Sequence, residues 1–344
     1  MMDLLKLGMN KAYWLFLAPF FLASCTVDPG ELVENRNMGG ALGTSYSIIY
    51  LTPEKLDYQK EIDSVFGAIN RSLSTYLPNS DISKINKGDT TVVLDHMFQE
   101  VFTLSKEVYA RTKGYFDPTV GVLVNAWGFG PDPGMAMDST KVDSLLKFVG
   151  LNKLTLTDKG RLKKAYPNMY IDFNAIAKGY AIDRLAVFLD QKEVPHYLIE
   201  VGGELVGKGS NRIKQKPWVV GIDDPQVEQG RRLKIMMHLT DRALASSGNY
   251  RKFRLDSISG KKYVHTIDPK TGFTKNANTL GTTVLANSCA KADAYATAFM
   301  AMDLGETMEF LKSQSELDAY IVYLDEKGQV QEFATSGFEK RIVK

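Results

Sequence analysis

An α+β fold, with mixed or antiparallel sheets against packed helices, follows from three observations. Strand-like segments arrive in runs rather than in strict βα alternation, which argues against a doubly wound parallel sheet. Of the 344 residues, 44% are hydrophobic, 24% charged and 10% aromatic, the balance of a folded globular chain and not of a disordered tail, a collagen or a coiled-coil rod. Neither internal repeats nor low-complexity segments interrupt the chain. The length admits two domains or one large one. With 42 basic against 40 acidic side chains the net charge is +2, which offers no surplus for neutralising a nucleic-acid backbone, so nucleic acid is not an expected partner.

The first elements belong to targeting rather than to the fold. Lys6 and Lys11 precede an apolar run from Ala12 to Ala23, broken by Pro19 and followed by Ser24 and Cys25. A membrane span needs about 20 apolar residues, so residues 1–24 read as a signal peptide. Leu22-Ala23-Ser24-Cys25 looks like a bacterial lipobox, whose cleavage would leave Cys25 as a lipid-modified, palmitate-bearing N-terminus. A plain secretory signal with an incidental cysteine is the alternative. Cys289 is the only other cysteine, so acylation of Cys25 would leave no partner for a disulfide. Residues 25–38 read as the lipidated N-terminus and linker, the stretch from Thr26 to Arg36 being polar with Pro and Gly.

Gly43 to Leu51 ends in a β-rich run, and Pro53 opens a helical pattern with Ile62, Val65, Phe66, Ile69 and Leu73 at helical spacing. A second helix fits Asp95 to Lys113, with Asp95 as N-cap and Gly114 as stop. Phe116 to Gly134, rich in Gly and Pro, reads as a long ordered loop, which in a compact domain is usually functional. Asp138 to Phe148 fits a short helix, Leu151 to Asp172 two strand-like runs around Lys159-Gly160, and Ala175 to Leu189 a helix. Strands and turns follow from His196 to Leu285, then helices from about Cys289 to Met302 and from Glu306 to Lys312, then a terminal hairpin.

Several segments carry chemistry. Gly202 to Gly209 imitates a phosphate-binding loop, but Gly209 stands where Ser or Thr should bind magnesium and no helix follows, so a tight strand connection explains it better. Asp293 and Thr297, four apart on one helix, project oxygens from one face and could share a hard cation, although an Asp near a helix start is more often a dipole or capping residue, the reading favoured for the pair taken alone. Asp172 ends a strand and Asn174-Ala175 enters a helix, where free amides and Lys178 could cradle a diphosphate; the plain reading of Lys178 is a solvated lysine. Of the four histidines, His96, His196 and His238 read as structural or exposed, whereas His265 precedes a turn-forming stretch with Asp268 close by. No Gly-x-Ser-x-Gly elbow supports serine hydrolase chemistry.

In register, Leu42-Gly43-Thr44, Leu73 to Tyr76 with Ser80 to Asn86, Gly114 to Pro118 with Asn125 to Gly130, Ile171-Asp172 with Ala177 to Tyr180, Gly202-Gly203-Glu204, Ala245 to Tyr250, His265 to Gly272, and Ala292 to Ala294 with Thr297 resemble the ApbE family of FAD:protein FMN transferases. Leu42, Asn174 and Ser246 depart from the Met, Gly and Thr common in relatives. The resemblance implies one α+β domain over residues 39–344. It implies a magnesium-dependent enzyme that moves FMN from FAD through a phosphoester bond to a threonine or serine of a target protein, releasing AMP. Metal ligands would be Asp293, Thr297 and the carbonyl oxygens of Ala175 and Ala296. Leu42, Tyr76, Asn125, Ala126, Trp127, Asp172, Lys178, Ser247 and His265 would meet the flavin nucleotide, with His265 or Asp172 as catalytic base. The implied partners are FAD, an acceptor protein with a flavinylation-type Thr/Ser motif such as a membrane redox subunit, and a bacterial membrane, reached through the lipid and facing the periplasm. An FAD pyrophosphatase and a non-catalytic periplasmic FAD-binding lipoprotein are the competing readings.

Overall fold

A computed structural model of the chain describes residues 32–131, 134–227, 232–248, 253–255, 262–275 and 278–343. The expected signal peptide and Cys25 lie outside them, as do Asn249 and Tyr250. In chain order the elements are β1 (Val33–Ala41), β2 (Thr44–Thr52), α1 (Gln59–Leu73), α2 (Asp81–Asn86), α3 (His96–Arg111), α4 (Gly121–Ala126), α5 (Ser139–Leu146), β3 (Leu154–Leu156), β4 (Leu162–Lys164), α6 (Ala177–Gln191), β5 (Tyr197–Val201), β6 (Glu204–Lys208), β7 (Trp218–Asp223), β8 (Leu233–Leu239), β9 (Arg242–Gly248), β10 (Phe253–Leu255), β11 (Lys262–Val264), β12 (Thr279–Ala286), α7 (Cys289–Ala301), α8 (Leu304–Lys312), β13 (Asp318–Leu324), β14 (Val330–Ala334) and α9 (Ser336–Glu339). None of the described helices is long and apolar enough to cross a membrane.

Eight strands form one sheet in the order β1-β2-β5-β6-β9-β12-β13-β14, every neighbouring pair antiparallel. Successive side chains of a strand point to opposite faces, so each strand divides its residues between two layers. Ile199, Ala245, Val284 and Ile321 belong to a large core shared with α1, α3, α6 and α7, whereas Leu205, Leu244, Leu285 and Tyr320 face a smaller core closed by the β7–β8 hairpin and Phe338. A satellite core of Leu123, Trp127, Val142, Val149 and Ile267 ties α4 and α5 to the loop after β11.

Local chemistry sets the helix starts. The carboxylates of Asp95 and Asp138 accept the amides of Phe98 and Lys141, and the hydroxyls of Ser80 and Ser288 accept those of Ser83 and Lys291. Helix α7 is buried on nearly every side and rich in alanine, which lets α6 and the sheet approach its backbone.

Three expectations shift. The sheet begins at Val33, inside the segment read as a linker and ahead of residue 39, because β1 pairs with β2 through Thr52. Helix α1 starts at Gln59 rather than at Pro53. The loop from Phe116 to Gly134 holds the six-residue helix α4.

Candidate active site

At one end of the sheet two tight turns lie side by side. Leu42 and Gly43 join β1 to β2 with φ of 51° and 75°, and Gly202 and Gly203 join β5 to β6 with φ of 63° and 104°. Two positive φ angles in succession suit a two-residue hairpin, which explains the double glycine without any phosphate-binding role. A Cβ on Gly202 would come within 2.7 Å of Thr44, so the turns are in contact. Leu42 is half-buried against the large core. The second turn sets the next residue, Glu204, at the start of β6, only 4% exposed.

Helix α6 begins beside this turn. Lys178 in its first turn brings its ammonium to 2.8 Å from Glu204 Oε2. The amide of the next residue, Gly179, donates to Asp293 Oδ2 at 3.1 Å, and Asp293 is 5% exposed. Burial would lower Lys178, but the carboxylates of Glu204 and Asp293 outweigh it and hold the ammonium above its usual range. Burial and the Asp293 carboxylate push Glu204 upward against the pull of Lys178, and burial raises Asp293 against the same lysine and the Gly179 amide. One turn beyond Asp293, Thr297 Oγ1 lies 3.4 Å from Ser247 Oγ on β9. The neighbouring Ser246 hydroxyl meets that of Thr283 at 2.9 Å.

This group fits a hard cation. One ammonium serves two buried carboxyls, and the upward push on both marks a site short of positive charge, while Thr297 adds a hydroxyl oxygen on the same helix face as Asp293. Among the described residues no group of three or more His, Cys, Asp and Glu could hold a metal, so a cation here would draw on hydroxyl and backbone oxygens, the habit of magnesium rather than zinc. The Ala296 carbonyl accepts the Thr282 hydroxyl at 2.8 Å inside the α7–β12 contact, whereas Ala175 lies half-buried in the turn leading into α6.

That turn is set by Asp172, whose carboxylate accepts the Asn174 amide at 2.8 Å and whose own amide reaches Pro118. Burial raises the Asp172 carboxyl above the ordinary range, opposed by Asn174. Tyr76 stands beside this pair, 60% exposed, its hydroxyl raised by burial and by the Asp172 charge.

Trp127, one of the expected nucleotide contacts, lies in the satellite core. It is 6% exposed and its indole N–H donates to the Gly272 carbonyl at 3.0 Å, so it braces the loop that carries His265. Ala126 is buried beside it, and Asn125 Oδ1 lies so close to Gly130 that a Cβ there would come within 1.7 Å. His265 is half-buried just after β11. The Asp268 carboxylate accepts the Lys270 amide at 2.8 Å and lies 3.9 Å from Lys275.

Sequence reasoning quoted Glu204 in a motif but gave it no role, and passed over Asp183. The Asp183 carboxylate accepts the Cys289 and Ala290 amides at 2.7 and 2.9 Å, capping α7 from α6. The signal for Glu204 was an acidic residue directly after a double glycine between strands. For Asp183 no local signal existed, because its partners are over a hundred residues away.

The sequence model of the ApbE family matches residues 42–321. The FAD:protein FMN transferase of Haemophilus influenzae is 32% identical over 317 residues, covering 88% of this chain and 90% of that protein. The Vibrio cholerae FAD:protein FMN transferase is 31% identical over 335 residues, 95% and 98% of the two chains. The solved structure of the flavin transferase ApbE from Vibrio cholerae superposes with a TM-score of 0.79 at 30% identity, covering 90% of this chain and 100% of that one.

Proposed function

The chain belongs to the ApbE family, and from that membership we propose that it is a flavin transferase that moves the FMN half of FAD to a threonine or serine hydroxyl of a target protein and releases AMP. The buried Lys178–Glu204–Asp293 group beside Thr297 is the observation that carries this chemistry. A diphosphate repels an incoming oxygen, so catalysis is mostly charge neutralisation and alignment.

Asp293, Thr297 and the Ala175 carbonyl would hold magnesium, which when bound supplies positive charge to the diphosphate. Lys178, paired with Glu204, adds a second positive charge at the start of α6, where backbone amides are unpaired by the helix itself. Leu42, Tyr76, Asn125 and Ser247 are the proposed contacts of the flavin nucleotide, and the exposed ring of Tyr76 offers a flat face to a flavin. His265, in the loop braced by Trp127, accepts the proton of the attacking hydroxyl. The acceptor oxygen then bonds to the FMN phosphorus and the bond to AMP breaks, its electron pair leaving with the AMP phosphate. Asp172, whose carboxylate accepts the Asn174 amide, shapes the α6 entry and is the alternative base.

The lipobox-like segment ending at Cys25 supports a lipid-anchored enzyme facing the periplasm, which would serve an acceptor such as a membrane redox subunit. Quantifying AMP and free FMN together tests the transfer: with FAD, magnesium and an acceptor domain, AMP should exceed free FMN by the amount of acceptor consumed. Equal release of both makes the enzyme an FAD pyrophosphatase, and release of neither makes it a flavin binder.

A further inference from the structure

Lys178 and Gly179 are consecutive, and Gly179 already touches the Asp293 carboxylate, so the lysine starts its path beside Asp293. With one ammonium and two buried carboxylates, the partner chosen by Lys178 decides which carboxylate stays open. The ammonium lies 2.8 Å from Glu204 Oε2. Glu204 is fixed there by its backbone: Val201 and Glu204 are paired across the Gly202–Gly203 turn, and Gly202 is wedged against Thr44. Without Glu204, the charged lysine would have Asp293 as its buried counter-ion, and an unpaired buried charge is strongly disfavoured.

We propose that Glu204 is a positioning residue that holds Lys178 off Asp293 and so keeps the Asp293 carboxylate open to a hard divalent cation. The inference rests on the reading of Asp293 as a metal ligand. Residues that orient a ligand's surroundings commonly change metal affinity by about 10–100-fold, and an effect of that size is expected here.

The test is a Mn2+ titration of the full chain without flavin, followed by electron paramagnetic resonance, on protein whose melting curve shows it folded. Glu204→Gln should weaken Mn2+ binding by about ten-fold or more, and Glu204→Gln with Lys178→Met should return it to near the wild-type value. Lys178→Met alone, which leaves Glu204 intact should Glu204→Gln fail to fold, should bind Mn2+ at least as tightly as wild type. Wild-type binding by Glu204→Gln, no recovery in the double variant, or a loss in Lys178→Met equal to that of Glu204→Gln would overturn the proposal. Asp293→Asn separates the two levels. If it loses Mn2+ while Glu204→Gln does not, the Glu204 inference alone is wrong; if it binds Mn2+ like wild type, the ligand assignment fails and the inference falls with it.

Discussion

The Gly179 amide donates to the Asp293 carboxylate at 3.1 Å across a helix contact with no room for a side chain. A Cβ at position 179 would lie 2.4 Å from the Cys289 carbonyl oxygen and 2.8 Å from the Ala290 amide nitrogen, both rigid backbone. Gly179 therefore serves two ends at once: it lets α6 close on α7, and that closure orients Asp293 beside Lys178.

Gly179→Ala should force the helices apart, lowering stability by about 1–3 kcal/mol, the usual cost of overpacking. Thermal melting measures it. Catalysis should fall further than stability explains, because Asp293 loses its amide donor. A variant with wild-type melting and turnover would show that the contact relaxes freely.

Asp293→Ala should abolish magnesium-dependent turnover, and chelation of the wild type with EDTA should bring it to the same level. Steady-state AMP release with and without magnesium reads both. An unchanged rate in the variant would remove Asp293 from the metal site.

His265→Ala should slow FMN transfer far more than it weakens FAD binding. Single-turnover transfer and a fluorescence titration with FAD separate these quantities. Equal losses in both would make His265 a binding residue.

The stabilising contribution of Asp117 and Asp183 should fall as pH rises from about 4 to 6. Burial raises Asp117 and Asp183 from 3.8 to about 6, against the amides of Thr119 and Leu151 for the first and of Cys289 and Ala290 for the second. In that window the folded chain binds more protons than the unfolded one, so this contribution is full below the unfolded value and lost as pH passes the folded one. Each carboxyl contributes roughly 2 kcal/mol to the change. Melting temperature against pH should have a shallower slope in Asp117→Asn and Asp183→Asn, whatever their absolute stability. An unaltered slope in both would contradict the assignment.

Periodic and capped elements were legible in the sequence. Asp95 caps its helix as its position suggested, a short helix follows Asp138 where one was expected, and the Cys289–Ala301 helix stands where expected. β1 was missed because Glu34 to Gly40 is polar and glycine-rich; it forms at the sheet edge on β2, where solvent rather than core receives many of its side chains. α4 was missed because six residues rich in valine, without a side-chain cap, carry little helical signal. In the site, Asp293 and Thr297 were legible as neighbours on one helix face. The Lys178–Glu204 pair and the Trp127–Gly272 bond were not, since each joins residues that only the tertiary fold brings together.

The account stands or falls on where the FMN goes. The most direct measurement is the intact mass of an acceptor domain after incubation with the enzyme, FAD and magnesium. The prediction is a gain of one covalently bound FMN, lost when the acceptor threonine is changed to alanine. An unmodified acceptor alongside accumulating free FMN and AMP would contradict it.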